Sequence, residues 1–323
     1  MEVSADTILL LWEKLVWPLL RLLFFISIGL FAANLIESLN WTKKVSALSR
    51  PLIRCGNLSE RVGAAFTMAL FSGVAANTML AESYNDGFLN KKELVLANLF
   101  NSLPTYFLHL PTVIVITLPL IKSAAFIYVG ITFGAALLRT FTIVLIGRLI
   151  LDKPEVPVSL SVPARKVDEK SKILSKTWKR FKRRMRKILV FTIPIYIIIF
   201  IMNRLDFFNY VEEIMAGYLH YVPWLSPQAL GIITLHLAAE LTAGLAAAGA
   251  LLQEGVLTHR EIILALLIGN VISSPVRAIR HQFPYYAGIF KPQLATELII
   301  YNQCFRILSL IFVGSIYFII SAG

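Results

Sequence analysis

Asn101-Ser-Leu-Pro104, followed by His109-Leu-Pro111, interrupts a long apolar run in the first half of the chain. The same order of residues returns in the second half as Asn270-Val-Ile-Ser-Ser-Pro275 and His281-Gln-Phe-Pro284. A proline inside an apolar helix removes a backbone donor and crowds the preceding turn. Two such breaks in one order point to a single structural unit used twice.

The flanking sequence agrees. Asp86-Gly-Phe-Leu-Asn-Lys-Lys-Glu-Leu94 precedes the first break, and Glu254-Gly-Val-Leu-Thr-His-Arg-Glu-Ile262 precedes the second. They match in residue or type at all but one position. Each reads as a glycine turn, an N-cap (Asn90, Thr258) and a glutamate three residues on, the capping-box spacing. Beyond the breaks, Arg139 and Gly147 correspond to Arg306 and Gly314. Three correspondences in the same order establish an internal duplication. The expected organisation is a first membrane repeat over 1–151, a linker with a polybasic amphipathic helix over 152–185, and a second membrane repeat over 186–323.

The 323 residues are 57% hydrophobic, with a mean hydropathy of +0.71, above the roughly 45–50% of soluble domains. The chain reads as an integral membrane protein. Apolar stretches near the spanning length of about 20 residues recur at 16–37, 62–81, 124–150, 188–203, 227–252 and 293–320. In lipid every backbone polar group must be satisfied internally. Without the alternation of an outer-membrane barrel, these are expected to be helices. The N-terminus has no basic n-region, so the first helix is expected to be retained. Two cysteines are too few for a disulfide framework or thiolate site. No His-Glu-x-x-His, Gly-x-Ser-x-Gly or paired-carboxylate pattern occurs. Neither an enzyme, a metal site nor a cofactor is expected.

The net charge is +12. Much of it lies in Lys172–Lys187, which holds nine Lys or Arg, while Leu174, Trp178, Phe181, Met185 and Ile188 share one helical face. This reads as a surface helix on anionic headgroups rather than a nucleic-acid site. With this linker in the cytoplasm, the positive-inside rule favours three crossings per repeat plus a re-entrant or broken-helix hairpin. Both termini then lie outside. An odd number of crossings makes the two repeats inverted, and the hairpins, with tips at the proline breaks, approach each other at the midplane of a prokaryotic inner membrane.

The duplicated unit, its Asp-Gly/Glu-Gly turn, the Asn-to-Pro break and Ser273-Ser-Pro-Val-Arg-Ala-Ile-Arg-His281 resemble the nucleoside-recognition or Gate-domain membrane proteins. That superfamily includes parts of concentrative nucleoside transporters, the membrane region of ferrous-iron transporter B and spore-maturation membrane proteins. The resemblance implies an all-helical inner-membrane protein with a transport-type core, and it transfers no substrate. No Gly-x-x-x-x-Gly-Lys-Ser/Thr occurs, so a nucleotide-hydrolysing part is not expected.

The function expected is transport of a small polar or anionic solute, nucleoside-like or an organic anion, secondary active by alternating access. The alternative is a non-transporting assembly or accessory protein. Intramembrane ionisable residues are costly and point to function. Glu240, with His236 four residues before it, is the candidate H+ or Na+ coupling group. Arg139 and Arg306 are candidates to bind an anion, against a reading as buried ion pairs or carbonyl caps, and Arg277 is a further candidate, against a place at the hairpin mouth where it would only set topology. Asn101, Ser102, Asn270, Ser273 and Ser274 are candidates to hydrogen-bond the substrate, against a reading as caps for helix ends opened by the prolines. Homo-oligomer formation is compatible with this reading.

Overall fold

The computed structural model describes residues 9–38, 46–152, 170–217 and 225–321. Outside these lie both chain ends, Lys43 and Lys44 of the first basic loop, and residues 153–169 of the linker. The side chain of Glu240 and most basic side chains of Lys172–Lys187 are outside them as well, so the expectations placed on these groups stand apart from the description below.

All regular structure among the described residues is helical. A π-helical turn, Trp12–Val16, leads into α1 (Trp17–Ser38). After a 3-10 turn at Ser46–Ser49 come α2 (Arg50–Cys55), α3 (Glu60–Ala69) and α4 (Gly73–Asn85). Then follow α5 (Lys91–Phe100), α6 (Ser102–Ile121) and α7 (Ala124–Ile150). The second half contains α8 (Lys170–Arg204), α9 (Phe207–Gly217), α10 (Pro227–Gln253) and α11 (His259–Arg277). A π-helical turn over Ala278–Gln282 then leads to α12 (Phe283–Phe290) and α13 (Pro292–Ile320). Among the described residues, four segments are long and apolar enough to cross a membrane: Lys91–Ile121, Ala124–Ile150, His259–Phe290 and Pro292–Ile320.

The proline breaks are not hairpin tips. Asn101 is one turn residue between α5 and α6, and the two helices together form a single candidate span of 31 residues. Pro104 is the third residue of α6, where a backbone N–H has no intrahelical partner to lose. In the second half α11 runs through Pro275. The wider π turn that follows, and the position of Pro284 as second residue of α12, carry the chain onward within a 32-residue span.

The chain reverses earlier, inside the stretches expected to be the simple spans 62–81 and 227–252. In the first half, Leu70–Ser72 separates α3 from α4, Ser72 caps α4 by accepting from the Ala75 N–H, and the two helices pack against each other. In the second half the reversal is inside α10. A Cβ built on Gly244 would stand 2.8 Å from His236 Cβ and 3.2 Å from the Ile232 carbonyl oxygen. In a straight helix, Ile232 and Gly244 would be about 18 Å apart. The turn falls between them, inside Pro227–Gln253. Arms of 10 and 13 residues in the first hairpin reach roughly 15–20 Å, about half a bilayer core or a little more. Small residues at their contacts, including the buried Ala64, Ala65, Ala69, Ala75 and Ala76, allow such close packing. His236 therefore lies on one arm of a hairpin and not in a straight span.

A further difference concerns α8. The polybasic stretch and the apolar stretch at 188–203 form one 35-residue helix, where the sequence suggested a separate surface helix.

The turns before the breaks are built alike. Gly87 and Gly255 have φ of +77° and +70°, conformations that side-chain-bearing residues adopt only at a cost. Asn90 Oδ1 accepts from the Glu93 N–H at 2.9 Å, and Thr258 Oγ1 accepts from the Glu261 N–H at 3.3 Å. Glu261 completes its capping box through the Thr258 N–H at 2.9 Å, whereas Glu93 accepts from the Ser59 N–H at 2.9 Å and so anchors the start of α3.

The chain packs as two compact units that do not follow the repeats. One comprises 1–108, 140–200 and 283–298, the other 109–139, 201–282 and 299–323. The expected repeat boundaries concern the duplication, while these units concern packing. In the first unit Phe66 and Phe100 stack with centroids 4.4 Å apart, and Lys91 pairs with Glu297 at 2.8 Å. Asn57 Nδ2 donates to the Leu151 carbonyl at 3.1 Å, tying down the end of α7. In the second, Tyr128, Ile232, Ile233, Leu245, Ile262 and Leu266 belong to one apolar core.

Candidate functional site

The second unit gathers polar groups on a single amide. Asn270 lies within α11, one residue after Gly269, whose added Cβ would stand 2.6 Å from His236 Nδ1. The absence of a side chain there lets the α10 hairpin close on α11. Asn270 Oδ1 accepts from Arg277 Nη2 at 2.9 Å and from Arg306 Nη2 at 3.1 Å. Its Nδ2 donates to Tyr128 Oη at 3.3 Å. Arg277 is seven residues after Asn270, two turns along the same helix, and α13 supplies Arg306. Arg139 of α7 is buried, its Nε has no hydrogen-bond partner among the described residues, and it acts electrostatically on Arg306, as does Arg277.

Guanidinium groups sharing a neutral acceptor repel each other. The two Nη2 atoms on Asn270 Oδ1 are no more than about 6 Å apart, which costs about 3 kcal/mol at an effective dielectric near 20. Asn270 supplies a dipole and no charge to offset it. The acidic side chains described in this unit lie at turns, helix ends or exposed faces: Asp206 accepts from Asn209 at 2.9 Å, Glu261 caps α11, and Glu213 and Glu254 are exposed. His236 is fully buried, with neither ring nitrogen hydrogen-bonded among the described residues. An unmet polar group at such burial costs about 1–3 kcal/mol.

Of the expected site residues, the second unit brings together Asn270, Arg277, Arg306, Arg139 and His236. Ser274 belongs to an adjoining relay, donating to Gln303 Oε1, while Gln303 Nε2 donates to Gln282 Oε1 at 3.4 Å. Ser273 is buried with its hydroxyl unbonded among the described residues. Arg280 leaves the cluster and donates to Asn203 at 2.8 Å and Asn209 at 3.4 Å.

Asn101 and Ser102 belong to the first unit, and Asn101 stands at the C-cap of α5 through its backbone N–H, bonded to the Ala97 and Leu99 carbonyls. Both polar atoms of the Asn101 side chain and the Ser102 hydroxyl are buried without a hydrogen bond among the described residues. One turn earlier, Asn98 Nδ2 donates to Asn77 Oδ1 and to Tyr286 Oη, both at 3.0 Å. Sequence reasoning missed Asn77, Asn98, Tyr286, Tyr128 and Gln303. Helical spacing offered a signal for three of them, since Asn98 and Gln303 sit three residues before Asn101 and Arg306, and Tyr128 three turns before Arg139.

No family model and no solved structure matches the chain. Three proteins of Methanocaldococcus jannaschii are similar over most of their lengths, and each is described as uncharacterized. MJ0871 is 26% identical over 298 residues, 91% of each chain. MJ1556 is 27% identical over 289 residues, covering 87% of this chain and 88% of its own. MJ0880 is 21% identical over 278 residues, covering 84% and 88%. Matches of this length extend across both halves of the chain, so the likeness is to proteins of the same overall extent.

Proposed function

We propose that this chain is a membrane transporter of a small anionic solute, secondary active, with the anion held at the Asn270 cluster of the second unit. The observation that carries the reading is the convergence of Arg277 and Arg306 on one neutral oxygen, with Arg139 within electrostatic reach. Cations gathered on one neutral amide favour an anion from solution. Glu240, within the α10 hairpin, is the coupling candidate for H+ or Na+.

An inverted arrangement of the repeats is part of the proposal. A Cβ on Gly134 would lie 3.7 Å from Val313, so α7 and α13 approach there. Arg139 is five residues after Gly134 and Arg306 seven before Val313. Parallel helices would separate the two arginines by about 18 Å of rise, beyond the range over which they act on each other. Antiparallel helices place them on the same side of the contact, and corresponding helices running in opposite senses are what inverted units produce. In this reading the protein sits in the inner membrane with the linker in the cytoplasm, both termini outside, and Lys172–Lys187 on anionic headgroups.

Uptake by proteoliposomes tests the function, using nucleosides, nucleotides, organic and inorganic anions and metal ions, with Glu240→Gln in parallel. Saturable anion flux is expected, and E240Q is expected to lose its dependence on a proton or sodium gradient. Absence of flux for every solute would overturn transport in favour of the accessory role. Cysteine labelling that placed the 41–54 loop opposite the linker would remove the inverted topology.

A further inference from the structure

The break in the first unit presents hydrogen-bonding groups that no described residue takes up. We propose that Asn101 and Ser102 form a binding site for an uncharged primary carboxamide, a C=O beside an NH2 group, separate from the Asn270 cluster and independent of the anion reading.

Asn101 is 5% exposed, and its Oδ1 and Nδ2 are both buried without a partner among the described residues, as is the Ser102 hydroxyl. Each such atom costs about 1–3 kcal/mol while it stays unmet. The neighbouring groups do not supply the missing bonds. Asn98, one turn before, already spends its Nδ2 on Asn77 Oδ1 and Tyr286 Oη, both at 3.0 Å. Thr105, one turn after, gives its hydroxyl to the Asn101 carbonyl at 2.7 Å and its N–H to the same oxygen at 3.2 Å. The Asn101 N–H is bonded to the Ala97 carbonyl at 3.1 Å. The backbone of Asn101 is therefore held from both sides while its amide edge is unbonded. Pro104 adds an acceptor, because it has no N–H and leaves the Phe100 carbonyl without the donor that an unbroken helix supplies.

The types of the unmet groups select the ligand. Asn101 Oδ1 and the Phe100 carbonyl accept, Asn101 Nδ2 donates, and the Ser102 hydroxyl does either. A carboxylate only accepts and would leave Oδ1 unmet. An amidinium only donates and would leave Nδ2 unmet. A primary carboxamide carries two N–H donors and an oxygen with two lone pairs, so it meets acceptors and donors together. The first turn of α4 covers the site, since Asn77 meets Asn98 and a Cβ on Gly73 would stand 3.8 Å from Thr105 Oγ1, on either side of the break.

Saturation-transfer NMR on the purified full-length protein in detergent tests this, with acetamide as the probe and acetate and acetamidinium, which share its shape, as competitors. A saturable acetamide methyl signal is expected. Each ion should displace it at least about tenfold less well than acetamide itself, the factor that one lost hydrogen bond gives. Asn101→Leu should abolish the signal, and without acetamide it should melt no lower than the parent. Asn101→Asp turns the donor into a second acceptor and should reverse the preference, binding acetamidinium at least about tenfold more tightly than acetamide. If N101D does not fold, Ser102→Ala serves in its place and should weaken acetamide by about threefold to tenfold.

Acetate or acetamidinium displacing the probe as well as acetamide does overturns the inference, as does an N101L protein that still binds acetamide. The lack of any acetamide signal does so too, leaving buried water as what meets the Asn101 amide. Acetamide binding by a protein without anion flux removes the transport reading and leaves this site. Anion flux by a protein that binds no acetamide does the reverse.

Discussion

The two polar breaks share an origin in sequence and differ in what surrounds them. In the first unit Asn101 and Ser102 are buried, neutral and unbonded among the described residues, beside the amide and hydroxyl set of Asn77, Asn98 and Tyr286. In the second, Asn270 is held by two arginines and a tyrosine. One scaffold thus carries an uncharged position in one unit and a cationic one in the other. The difference teaches that the two stretches share a glycine turn and a capped helix, while the site chemistry is set by a few long side chains arriving from other helices.

The largest effects expected separate the two asparagines. Asn270→Leu removes the acceptor shared by Arg277 and Arg306 and the donor to Tyr128, and should destabilise the protein by about 2–5 kcal/mol. Asn101→Leu loses no hydrogen bond and should be neutral or stabilising. Thermal unfolding in detergent compares them, and equal losses at both positions would erase the distinction drawn here.

Next come the glycines at the two hairpins. Gly244→Ala forces a Cβ to within 2.8 Å of His236 Cβ and should cost about 1–3 kcal/mol through overpacking. Gly73→Ala in the first hairpin meets nothing nearer than Thr105 Oγ1 at 3.8 Å, and its melting temperature should stay close to that of the parent. A tolerated Gly244→Ala would mean that the α10 hairpin is looser than described.

The smallest effect is expected at the caps. Glu261→Gln should cost about 1 kcal/mol or less, because the amide oxygen can still accept from Thr258 N–H. Glu93→Gln keeps an acceptor for Ser59 N–H in the same way. Glu93→Ala leaves the half-buried Ser59 N–H unmet and should destabilise more than Glu261→Ala, whose unmet Thr258 N–H is exposed to water. Paired melting curves rank the four variants, and the opposite order for the alanines would show that the Glu93 link to α3 carries no weight.

Much of the helical frame was legible because hydropathy and capping act locally. The helices at 124–150 and 293–320 and the caps at Asn90 and Thr258 follow from residues within a few positions of each other. The hairpins were not, because residues 70–72 and 232–244 contain no proline, and apolar composition over 20 residues does not distinguish one long helix from two short arms folded together. The prolines drew attention instead, yet Pro104 and Pro275 are absorbed, one in a first helical turn and the other by a π turn. Arg139 and Arg306 stood out as charges in apolar sequence, but Tyr128 and Gln303 carry no such cost and passed unnoticed.

By itself the sequence determined an all-helical chain with apolar segments of spanning length and the ends of its capped helices, since burial of apolar surface and local hydrogen bonding depend on composition and short spacing. Only the tertiary structure decided where the chain reverses and which polar groups meet. Asn270 comes together with Arg306 and Tyr128 across separations of 36 and 142 residues, through helix packing that no local pattern encodes. The close approach of Gly269 to His236, which depends on the room left by a missing side chain, became visible only once the helices were in place.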